Sequence, residues 1–530
     1  MMAYVKEFAD YPPEISQQQQ DFAVGQLKNY ALSVGFTVKP FAVQTDDGPK
    51  LPEGAVPAPI TLYPSLFPKS CFEEALDIQQ SYNTLYANIT RDTAWLEDIV
   101  PQLAKIDDFV ENLWNIHLQL KDGGYTQPLT LGLFRSDYMV HLDKTPGSKP
   151  QIRQVEFNTI ASSFGGLSTR AAQIHRYLLT NNIYPSTSSS ALSPDALAPS
   201  DAAAGLAHGL ANGHKAYLSH TKPTMEDTCI LFIVQPSERN IFDQQHIENE
   251  LVNTHSIPVF RSTLATVLTQ THLTDTSVLI YTHPSTQRKY EVTLLYYRAG
   301  YAPTEYTSPA DWTARLTLER SRAIKCPTVL LQLAGMKKVQ QVLALPDSPH
   351  LQRFLPNADT ERLRNTFALM YPLDSTPSGK EGQAIALNEA TAKGYVLKPQ
   401  REGGGNNIYR SDIPAFLKER PESEWGAYVL MQMIEPPAQR NTIVRMTAAK
   451  EGQGVVGVVE TGGVICELGI YGTCLFSMAG QTAGAVQSNE VAGYLLRTKG
   501  DTSSEGGVAA GFGALDSVCL VGDDALGAGS

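Results

Sequence analysis

The 530-residue sequence predicts an α/β fold with a helical N-terminal part. Apolar residues at 72, 76, 82, 85 and 86 follow the helical period, and residues 14–120 read as mostly helical. Two strand-like runs, LGLFRSDYMVHL and QIRQVEFNTI, follow within residues 131–160. From about residue 225, short buried strands such as TCILFIV alternate with helices, a pattern typical of a small doubly wound sheet.

The order of these elements predicts three regions. Residues 1–224 form the helical and strand-rich N-terminal part, and 225–342 form the doubly wound region. Residues 343–530 contain further helices and strands, including YVLKPQ and AYVLMQMI. The segment 184–204, rich in Ser, Ala and Pro, has few large apolar groups, so we expect a surface linker or loop.

Composition excludes several classes of protein. Hydrophobic residues make up 42% and charged residues 18%, as in ordinary globular chains. The net charge of −12, without a basic run, argues against nucleic acids and acidic membranes as main partners, while anionic small substrates remain compatible. Six cysteines lack C-x-x-C spacing, and neither a signal peptide nor a run of about 18 apolar residues is apparent, so we expect a soluble cytoplasmic protein with reduced thiols.

The strongest local motif is YVLKPQREGGGNNIY at residues 395–409. A strand ends near Lys398, and the three glycines that follow allow backbone N–H groups to turn toward an anion. Lys398 would place a charge on a phosphate, and Glu402 could hold Mg²⁺ beside it. The alternative is a glycine-rich surface turn, and the order of residues is not that of a Walker A loop.

A second motif is VEFNTIASSFGG at residues 155–166. Alternation along a strand places Glu156 and Asn158 on one face. Their oxygens are hard ligands that suit Mg²⁺. Taken alone this pair is weak evidence, because the same spacing is common at exposed strand edges.

Three arginines and a late glycine-rich run complete the candidates. Arg135, Arg298 and Arg497 lie in polar breaks beside apolar runs, where a guanidinium could bind a carboxylate or simply form a surface ion pair. The run EGGVAAGFGA at 505–514 is either a mobile loop that closes over a reactive intermediate or a flexible C-terminal segment.

Taken together, these segments resemble eukaryotic-type glutathione synthetase, a family of the ATP-grasp superfamily. The matching blocks run in the family's order from about residue 130 to 511: LGLFRSDYM, QVEFNTIASSFGGL, ERNIFDQQHIENEL, YYRAGYAP, LERSRAIKCP, QLAGMKKVQQVL, YVLKPQREGGGNNIY, LMQMIEP, CELGIYG and LLRTKGDTSSEGGVAAG. The resemblance implies an ATP-grasp body with an inserted Rossmann-like substrate domain at 225–342. It also implies a homodimer.

The resemblance assigns roles to individual positions. Magnesium ligands are implied at Glu156, Asn158 and Glu402, and catalytic cations at Arg135, Lys337 and Lys398. Positions that match an ATP site are Glu156, Lys337, Lys398, Glu402, Gly403, Gly404, Gly405, Asn406, Asn407, Tyr409, Met431, Gln432, Met433, Ile434, Glu467, Lys499 and Glu505. Positions that match a γ-glutamylcysteine site are Arg135, Ile160, Ala161, Ser162, Ser163, Glu238, Arg239, Asn240, Gln244, Arg298, Tyr301, Arg497, Val508 and Ala509.

The activity implied is ligation of γ-glutamylcysteine and glycine, driven by ATP with Mg²⁺ and proceeding through an acyl phosphate. Ala161 departs from the serine that the family usually has there, and Met433 replaces a residue that is often charged. Two alternatives stay open. One is a sister ligase that prefers another amine, such as β-alanine or serine, and the other is an inactive ATP-binding protein with a regulatory role.

Overall fold

The computed structural model describes residues 11–45, 48–50, 53–143, 145, 147–184, 191–345, 348–400, 407–448, 455–478, 485–503, 508 and 513–526. The N-terminal helices are α1 (Gln17–Ser33), α2 (Lys69–Arg91), α3 (Thr93–Ala104) and α4 (Asp108–Gly123). Short strands separate α1 from α2: β1 (Thr37–Val38), β2 (Val43–Thr45), β3 (Gly48–Lys50), β4 (Val56–Pro57), β5 (Ile60–Thr61) and β6 (Ser65–Pro68). The mostly helical prediction for residues 14–120 therefore missed these strands.

The middle of the chain alternates strands and helices. Its first elements are β7 (Leu129–His141), β8 (Gln151–Asn158), α5 (Gly165–Thr180) and α6 (Ala202–Thr221). The elements that follow are β9 (Thr228–Ile233), α7 (Ile241–Asn253), β10 (Val259–Ser262), α8 (Leu264–Gln270), β11 (Thr271–Leu273), β12 (Leu279–Thr282), β13 (Lys289–Tyr297), α9 (Pro309–Glu319), β14 (Ile324–Cys326), α10 (Val329–Ala334) and α11 (Lys337–Ala344).

The last third contains a small unit followed by long strands. The small unit comprises α12 (His350–Phe354), α13 (Asn357–Thr366), β15 (Met370–Pro372), α14 (Pro377–Leu387), α15 (Glu389–Ala392), β16 (Tyr395–Pro399), β17 (Ile408–Tyr409), α16 (Asp412–Lys418) and β18 (Tyr428–Gln432). The strands after it are β19 (Gln439–Ala448), β20 (Val455–Ser477), β21 (Val486–Gly500), β22 (Gly513–Asp516) and β23 (Val518–Val521).

Local sequence explains where several helices begin. Ser16 Oγ accepts a hydrogen bond from the backbone N–H of Gln19, and the Gln19 side-chain oxygen accepts one from the backbone N–H of Ser16, which forms a capping box. Asp92 and Asp107 cap α3 and α4 in the same way, each accepting from backbone N–H groups of the first turn. These caps satisfy N–H groups that have no partner inside the helix.

One large sheet organises the molecule. Its strands follow the order β10-β9-β13-β14-β7-β20-β19-β5-β22-β21. The pairs from β10 to β7 are parallel, and β7 is antiparallel to both β8 and β20. Because β21 also pairs with β20, the strands β20, β19, β5, β22 and β21 close on themselves. The mixed α/β architecture predicted from the sequence is confirmed.

The strands of region 225–342 extend this large sheet rather than forming a sheet of their own. The link is β14, which pairs with β7 at Lys325 and Thr130. One apolar cluster contains residues from 11 to 525, including Ile230 and Phe232, so the core also crosses residue 224. The division into three domains stays a prediction.

A second sheet of four strands, in the order β15-β18-β16-β17, forms the small unit. One face packs against α14 and α16 through a cluster that includes Leu397, Leu417 and Leu430. The opposite face presents Val396 and Met431 toward Val155 of the large sheet. The two sheets therefore meet through this apolar cluster.

The segment predicted as a surface linker is partly built into the core. Ala191, Leu197, Ala198 and Ser200 are buried, and α6 begins at Ala202. Backbone hydrogen bonds join this segment to the core: the Ala198 N–H donates to the carbonyl of Val518. Residues 185–190 of the predicted linker lie outside the described residues.

All six cysteines are free thiols, and all are buried: Cys71, Cys229, Cys326, Cys466, Cys474 and Cys519. Across the part of the chain that the structure describes, no helix is both long and apolar enough to cross a bilayer.

Candidate active site

Strands β7 and β8 place four polar side chains on one face of the large sheet. Three of them belong to predicted site residues, and the fourth is that of Asp137. Arg135 lies opposite Asn158, and Asp137 lies opposite Glu156, in the antiparallel register. Side chains two residues apart on a strand point to the same face, so all four share it. The register thus brings together a cation and the two residues predicted to bind magnesium.

Strands β20 and β21 add charges beside this group. Glu467 lies opposite Arg497, and Gly469 lies opposite Asp137 of β7. A Cβ atom on Gly469 would stand 2.7 Å from both the Cδ of Arg135 and the Oδ1 of Asp137. The absence of a side chain at Gly469 therefore leaves space for the side chains of Arg135 and Asp137 to pack against β20.

Asp137 connects the arginines. Its carboxylate accepts hydrogen bonds from Arg135 Nε at 2.6 Å and NH2 at 2.8 Å, and from Arg497 NH2 at 3.0 Å. Arg497 NH2 also donates to Glu467. Burial disfavours the charge on Glu467 and raises its pKa, although Arg497 acts in the opposite direction. Two carboxylates thus hold two guanidinium groups in fixed directions.

Two lysines from separate elements converge on Glu156. Lys337, the first residue of α11, lies 3.2 Å from Glu156 Oε2. Lys398, on β16, donates to the carbonyl of Val155 at 3.1 Å. Burial alone would raise the pKa of Glu156, but Lys337, Lys398, Arg497 and Arg135 outweigh it and hold this pKa well below its ordinary value. Glu156 is therefore ionised over the whole physiological pH range.

An apolar cluster joins the two sheets next to Lys398, which donates to the carbonyl of Val155. Met431 and Ile434 are buried in a cluster that also contacts Val155 and Tyr409. Met433 is partly buried against the same cluster, whereas Gln432 is exposed. The cluster is thus an apolar surface near Lys398, and surfaces of this kind bind the rings of ligands.

A tight turn at residues 160–164 faces the arginines. Ala161 and Phe164 have φ values of 52° and 74°, in the left-handed region that is costly for residues with a Cβ atom. Arg298 NH1 donates to the carbonyl of Ser162 at 2.9 Å and NH2 donates to Ser163 Oγ at 2.7 Å. The carbonyl of Ser163 accepts from Tyr471 Oη at 2.6 Å. The turn is held in its strained form by these donors.

Helix α7 is joined to the turn through Asp243. This buried carboxylate accepts from the backbone N–H groups of Phe164 at 2.7 Å and Leu167 at 3.0 Å, and from Asn240 Nδ2 at 3.2 Å. Just before the helix, Glu238 accepts from Asn240 N–H and from Gln244 Nε2, both at 2.7 Å. The predicted substrate residues of α7 therefore lie next to the predicted substrate turn.

The loop after β13 completes the surroundings of Arg298. Glu305 Oε2 accepts from three successive backbone N–H groups, those of Gly300, Tyr301 and Ala302. Tyr301 Oη accepts from Gln235 Nε2 at 2.9 Å. Gly300 has a φ of 91°, which suits the sharp bend at this point.

Several polar atoms near the turn are buried without a protein partner among the described residues: Ser162 Oγ, Asn240 Oδ1 and Arg298 Nε. Each belongs to a residue predicted to bind substrate. A buried polar group normally has a partner, because an unmade hydrogen bond costs about 1–3 kcal/mol. A polar ligand bound beside these atoms would supply the missing hydrogen-bond partners.

Some predicted residues are placed elsewhere or lie outside the described residues. The guanidinium of Arg239 lies over the Phe41 ring at 4.0 Å, and Val508 is buried. Lys499 follows Arg497 by two residues on β21, and Asn407 Nδ2 donates to Tyr409 Oη at 3.3 Å. The predicted positions outside the described residues are Glu402, Gly403, Gly404, Gly405, Asn406, Glu505 and Ala509.

The described part of the predicted metal site fits a magnesium ion. Glu156 is ionised, and Asn158 uses its Nδ2 to donate to the Arg135 carbonyl at 3.3 Å and to Asp137 Oδ2 at 3.0 Å. Its Oδ1 then faces the other way and receives no hydrogen bond from a described residue. Carboxylate and amide oxygens are what Mg²⁺ prefers. Within the described ranges, no three His, Cys, Asp or Glu side chains form a metal-binding group.

Three residues of the site were not predicted from the sequence: Asp137, Asp243 and Tyr471. Asp137 follows Arg135 by two positions on a predicted strand, and this spacing could have placed it on the same face. Tyr471 follows Glu467 by four positions and shares its face for the same reason. Asp243 gave no such signal, because its partners are backbone N–H groups far away in sequence.

Comparison with known proteins gives consistent results. Residues 17–520 match the family model described as "Eukaryotic glutathione synthase, ATP binding domain". The chain is 37% identical over 530 residues to the glutathione synthetase large chain of Schizosaccharomyces pombe, covering 97% of this chain and 99% of that protein. It is 37% identical over 504 residues to the Homo sapiens glutathione synthetase, covering 94% and 97%.

A solved structure supports the architecture. The apo form of a glutathione synthetase-like effector from Globodera pallida superimposes with a TM-score of 0.69 at 21% sequence identity. The match covers 96% of this chain and 98% of that protein. At this identity the likeness concerns the fold alone.

Proposed function

The chain belongs to the eukaryotic glutathione synthetase family of ATP-dependent ligases, and from this premise we propose that the cluster around Glu156 joins γ-glutamylcysteine to glycine. The observation that carries the proposal is the convergence of Lys337 and Lys398 on Glu156 beside an apolar cluster. Two cations and a hard-oxygen ligand beside an apolar surface are suited to phosphoryl transfer from a bound nucleotide.

The proposed reaction has two steps. The C-terminal carboxylate of γ-glutamylcysteine attacks the γ-phosphorus of ATP, and the bond to the β,γ-bridging oxygen breaks to release ADP. The amine of glycine then attacks the acyl carbon, phosphate leaves, and the amine loses a proton as the amide bond forms. Neither step needs a protein nucleophile, so positioning and charge neutralisation are the protein's contribution.

The lysines neutralise charge on the phosphates. Lys337 and Lys398 come from two separate elements, α11 and β16, so a triphosphate between them would contact both elements. Each cation is worth about 2–4 kcal/mol of transition-state stabilisation, by comparison with single electrostatic contacts in other enzymes. Magnesium, held by Glu156, Asn158 and Glu402, would neutralise further phosphate charge.

The arginines hold the peptide substrate. Arg135 uses three of its N–H groups on Asp137 and the Ser163 carbonyl, so two N–H groups of its five remain for a ligand. Arg298 stands on the other side of the same turn. We assign the carboxylate that is phosphorylated to Arg135, because this arginine lies in register with the metal ligand Asn158.

The test is release of ADP by the purified protein with ATP, Mg²⁺ and γ-glutamylcysteine, with and without glycine. We expect release that depends on both substrates, with an equal amount of glutathione formed. Parallel reactions with β-alanine and serine identify a sister ligase by faster turnover. ATP binding without ADP release for any amine would contradict the proposal and favour an inactive ATP-binding protein.

A single substitution tests the metal assignment. Glu402→Gln removes the charge of the third proposed ligand while keeping its shape, and we expect turnover to be abolished with circular dichroism unchanged. The matched control is Glu419→Gln, an exposed glutamate just past α16 in the same unit, which should retain full turnover. Substantial activity in a folded Glu402→Gln protein would show that the assignment is wrong.

Two further expectations belong to this proposal. We propose a homodimer on the basis of the family, and light scattering of the purified protein measures it. We also propose the cytoplasm as the compartment. Six unpaired cysteines support a reducing environment, although a relative from Solanum lycopersicum is named "Glutathione synthetase, chloroplastic".

A further inference from the structure

Asp137 is fully buried at the centre of the site. Four N–H groups converge on its carboxylate: two from Arg135, one from Arg497 and one from the Asn158 amide at 3.0 Å. Both of its oxygens are occupied, and the side chain has no surface open to a ligand. Whatever Asp137 does for the reaction, it does through these neighbours.

The first neighbour is the Asn158 amide. An amide can turn by 180° and exchange its oxygen with its nitrogen, and hydrogen-bond partners decide which orientation holds. Here both partners, Asp137 Oδ2 and the Arg135 carbonyl, are acceptors. They require the NH₂ group to face them, since a reversed amide would place its oxygen against a carboxylate. Oδ1 therefore points away from Asp137 Oδ2 and from the Arg135 carbonyl.

The second and third neighbours are the arginines. Arg135 contacts Asp137 through two N–H groups, on Nε and NH2, a geometry that leaves little rotational freedom. Arg497 is shared between Asp137 and Glu467, which fixes its direction as well. Without the central carboxylate, two adjacent guanidinium groups would repel each other and separate.

We propose that Asp137 is a positioning residue: it directs the Asn158 amide oxygen toward the magnesium site and holds Arg135 and Arg497 in the directions that bind the peptide substrate. This inference rests on the proposed function. The two effects are separable, because the amide acts on metal binding and the arginines act on γ-glutamylcysteine binding.

The first experiment uses Asp137→Asn. The new amide has a single acceptor oxygen for the donors around it, and its NH₂ group no longer forces the Asn158 amide into one orientation. We expect Mn²⁺, used as the probe ion in the presence of ADP and followed by electron paramagnetic resonance, to bind about 10- to 100-fold more weakly. We also expect the KM for γ-glutamylcysteine to rise about tenfold or more, with a smaller change in the KM for ATP.

The matched control is Glu291→Gln. Glu291 is also fully buried and also accepts several hydrogen bonds, from Tyr217 Oη, Thr224 and Met225, but it lies at the other end of β13 from Arg298. It measures the cost of neutralising a buried carboxylate without touching the site. Both Mn²⁺ binding and the KM values should stay at the wild-type level in this control.

The decisive variant is Asp137→Asn combined with Asn158→Asp. A carboxylate at 158 offers an oxygen in either orientation, so it no longer needs a neighbour to direct it. We expect Mn²⁺ affinity to return to within about threefold of wild type. The KM for γ-glutamylcysteine should stay raised, because the arginines still lack their carboxylate.

Several results would overturn the proposal. Unchanged Mn²⁺ binding and unchanged KM values in folded Asp137→Asn would do so, as would a double variant that binds Mn²⁺ no better than the single one. If Asp137→Asn does not fold, the same measurements on Asp137→Ser decide, since water can then hydrate the arginines. Failure of wild-type turnover, with Mn²⁺ and ADP still bound, would count against the proposed function instead.

Discussion

Charged side chains in this site keep one another ionised in surroundings that water reaches poorly. Glu156 shows this most clearly, since four cations overcome the effect of burial on its pKa. Lys398 shows the converse: burial and the nearby Lys337 lower its pKa, and Glu156 acts against them. A phosphate arriving beside Lys398 would add a further anion and favour the charged lysine.

Burial is the main influence on the pKa of Asp516, which lies outside the reaction centre. Ser65 and Thr498 donate to it, yet burial still raises its pKa from 3.8 to about 6. The folded state therefore binds more protons than the unfolded state between these two values. The contribution of Asp516 to the free energy of unfolding therefore falls as the pH rises through this window, by up to about 3 kcal/mol.

The variant Asp516→Asn tests this sign, because an amide does not titrate. We expect the free energy of unfolding of wild type, relative to the variant, to decrease by about 2–3 kcal/mol between pH 4 and pH 7. Denaturant unfolding of both proteins at the two pH values measures it. A difference between them that does not change with pH would show that Asp516 has an ordinary pKa.

At the scale of elements, the site depends on how closely β7 and β20 approach. Gly469→Ala places a methyl group 2.7 Å from Arg135 Cδ and Asp137 Oδ1. These side chains must move, and we expect kcat/KM for γ-glutamylcysteine to fall at least tenfold, with a stability loss of about 1–3 kcal/mol. Steady-state kinetics and denaturant unfolding measure the two effects.

The same strand offers the control for that change. Gly462 is also on β20, and a Cβ there meets nothing within 4 Å. Gly462→Ala should leave kcat/KM unchanged and stability within about 0.5 kcal/mol. Equal losses in the two variants would mean that β20 tolerates no side chain anywhere, and the close approach at Gly469 would lose its special role.

Elements with a clear hydrophobic period could be predicted from the sequence, whereas short strands defined by pairing with another segment could not. The strands that hold Arg135 and Glu156 were found from their apolar runs, as was β9. The two- to four-residue strands β1 to β6 carry too few residues to show a period. Two of them, β5 and β6, pair with the distant strands β19 and β23. No local pattern near residue 520 predicts β23, because this strand is defined by its pairing with β6.

At the scale of the whole molecule, the continuous sheet makes distant regions unfold together. Region 225–342 is joined to β7 through β14, and Trp312 of α9 contacts Phe109 of α4 with ring centroids 5.9 Å apart. The alternation of strands and helices could predict this region, but its pairing with β7 spans about 200 residues and has no local signal. From the sequence alone, a separate sheet for residues 225–342 was the simpler interpretation.

Tryptophan fluorescence tests this cooperativity. In a variant that retains only Trp312, we expect the fluorescence transition in denaturant to coincide with loss of far-ultraviolet circular dichroism, as in a variant that retains only Trp95. Trp95 lies in the cluster under α2 and α3 and reports the main body. A Trp312 transition at clearly lower denaturant would show that region 225–342 unfolds by itself.

The burial of the six cysteines has a consequence for redox chemistry. Thiol–disulfide exchange requires a thiolate that another sulfur can reach, and burial both removes access and raises the pKa of each of these thiols. A protein that handles γ-glutamylcysteine works among reactive sulfhydryls and their oxidised forms. Its own sulfurs stay outside that exchange while it is folded, so the oxidation state of the surrounding thiol pool leaves its covalent structure unchanged.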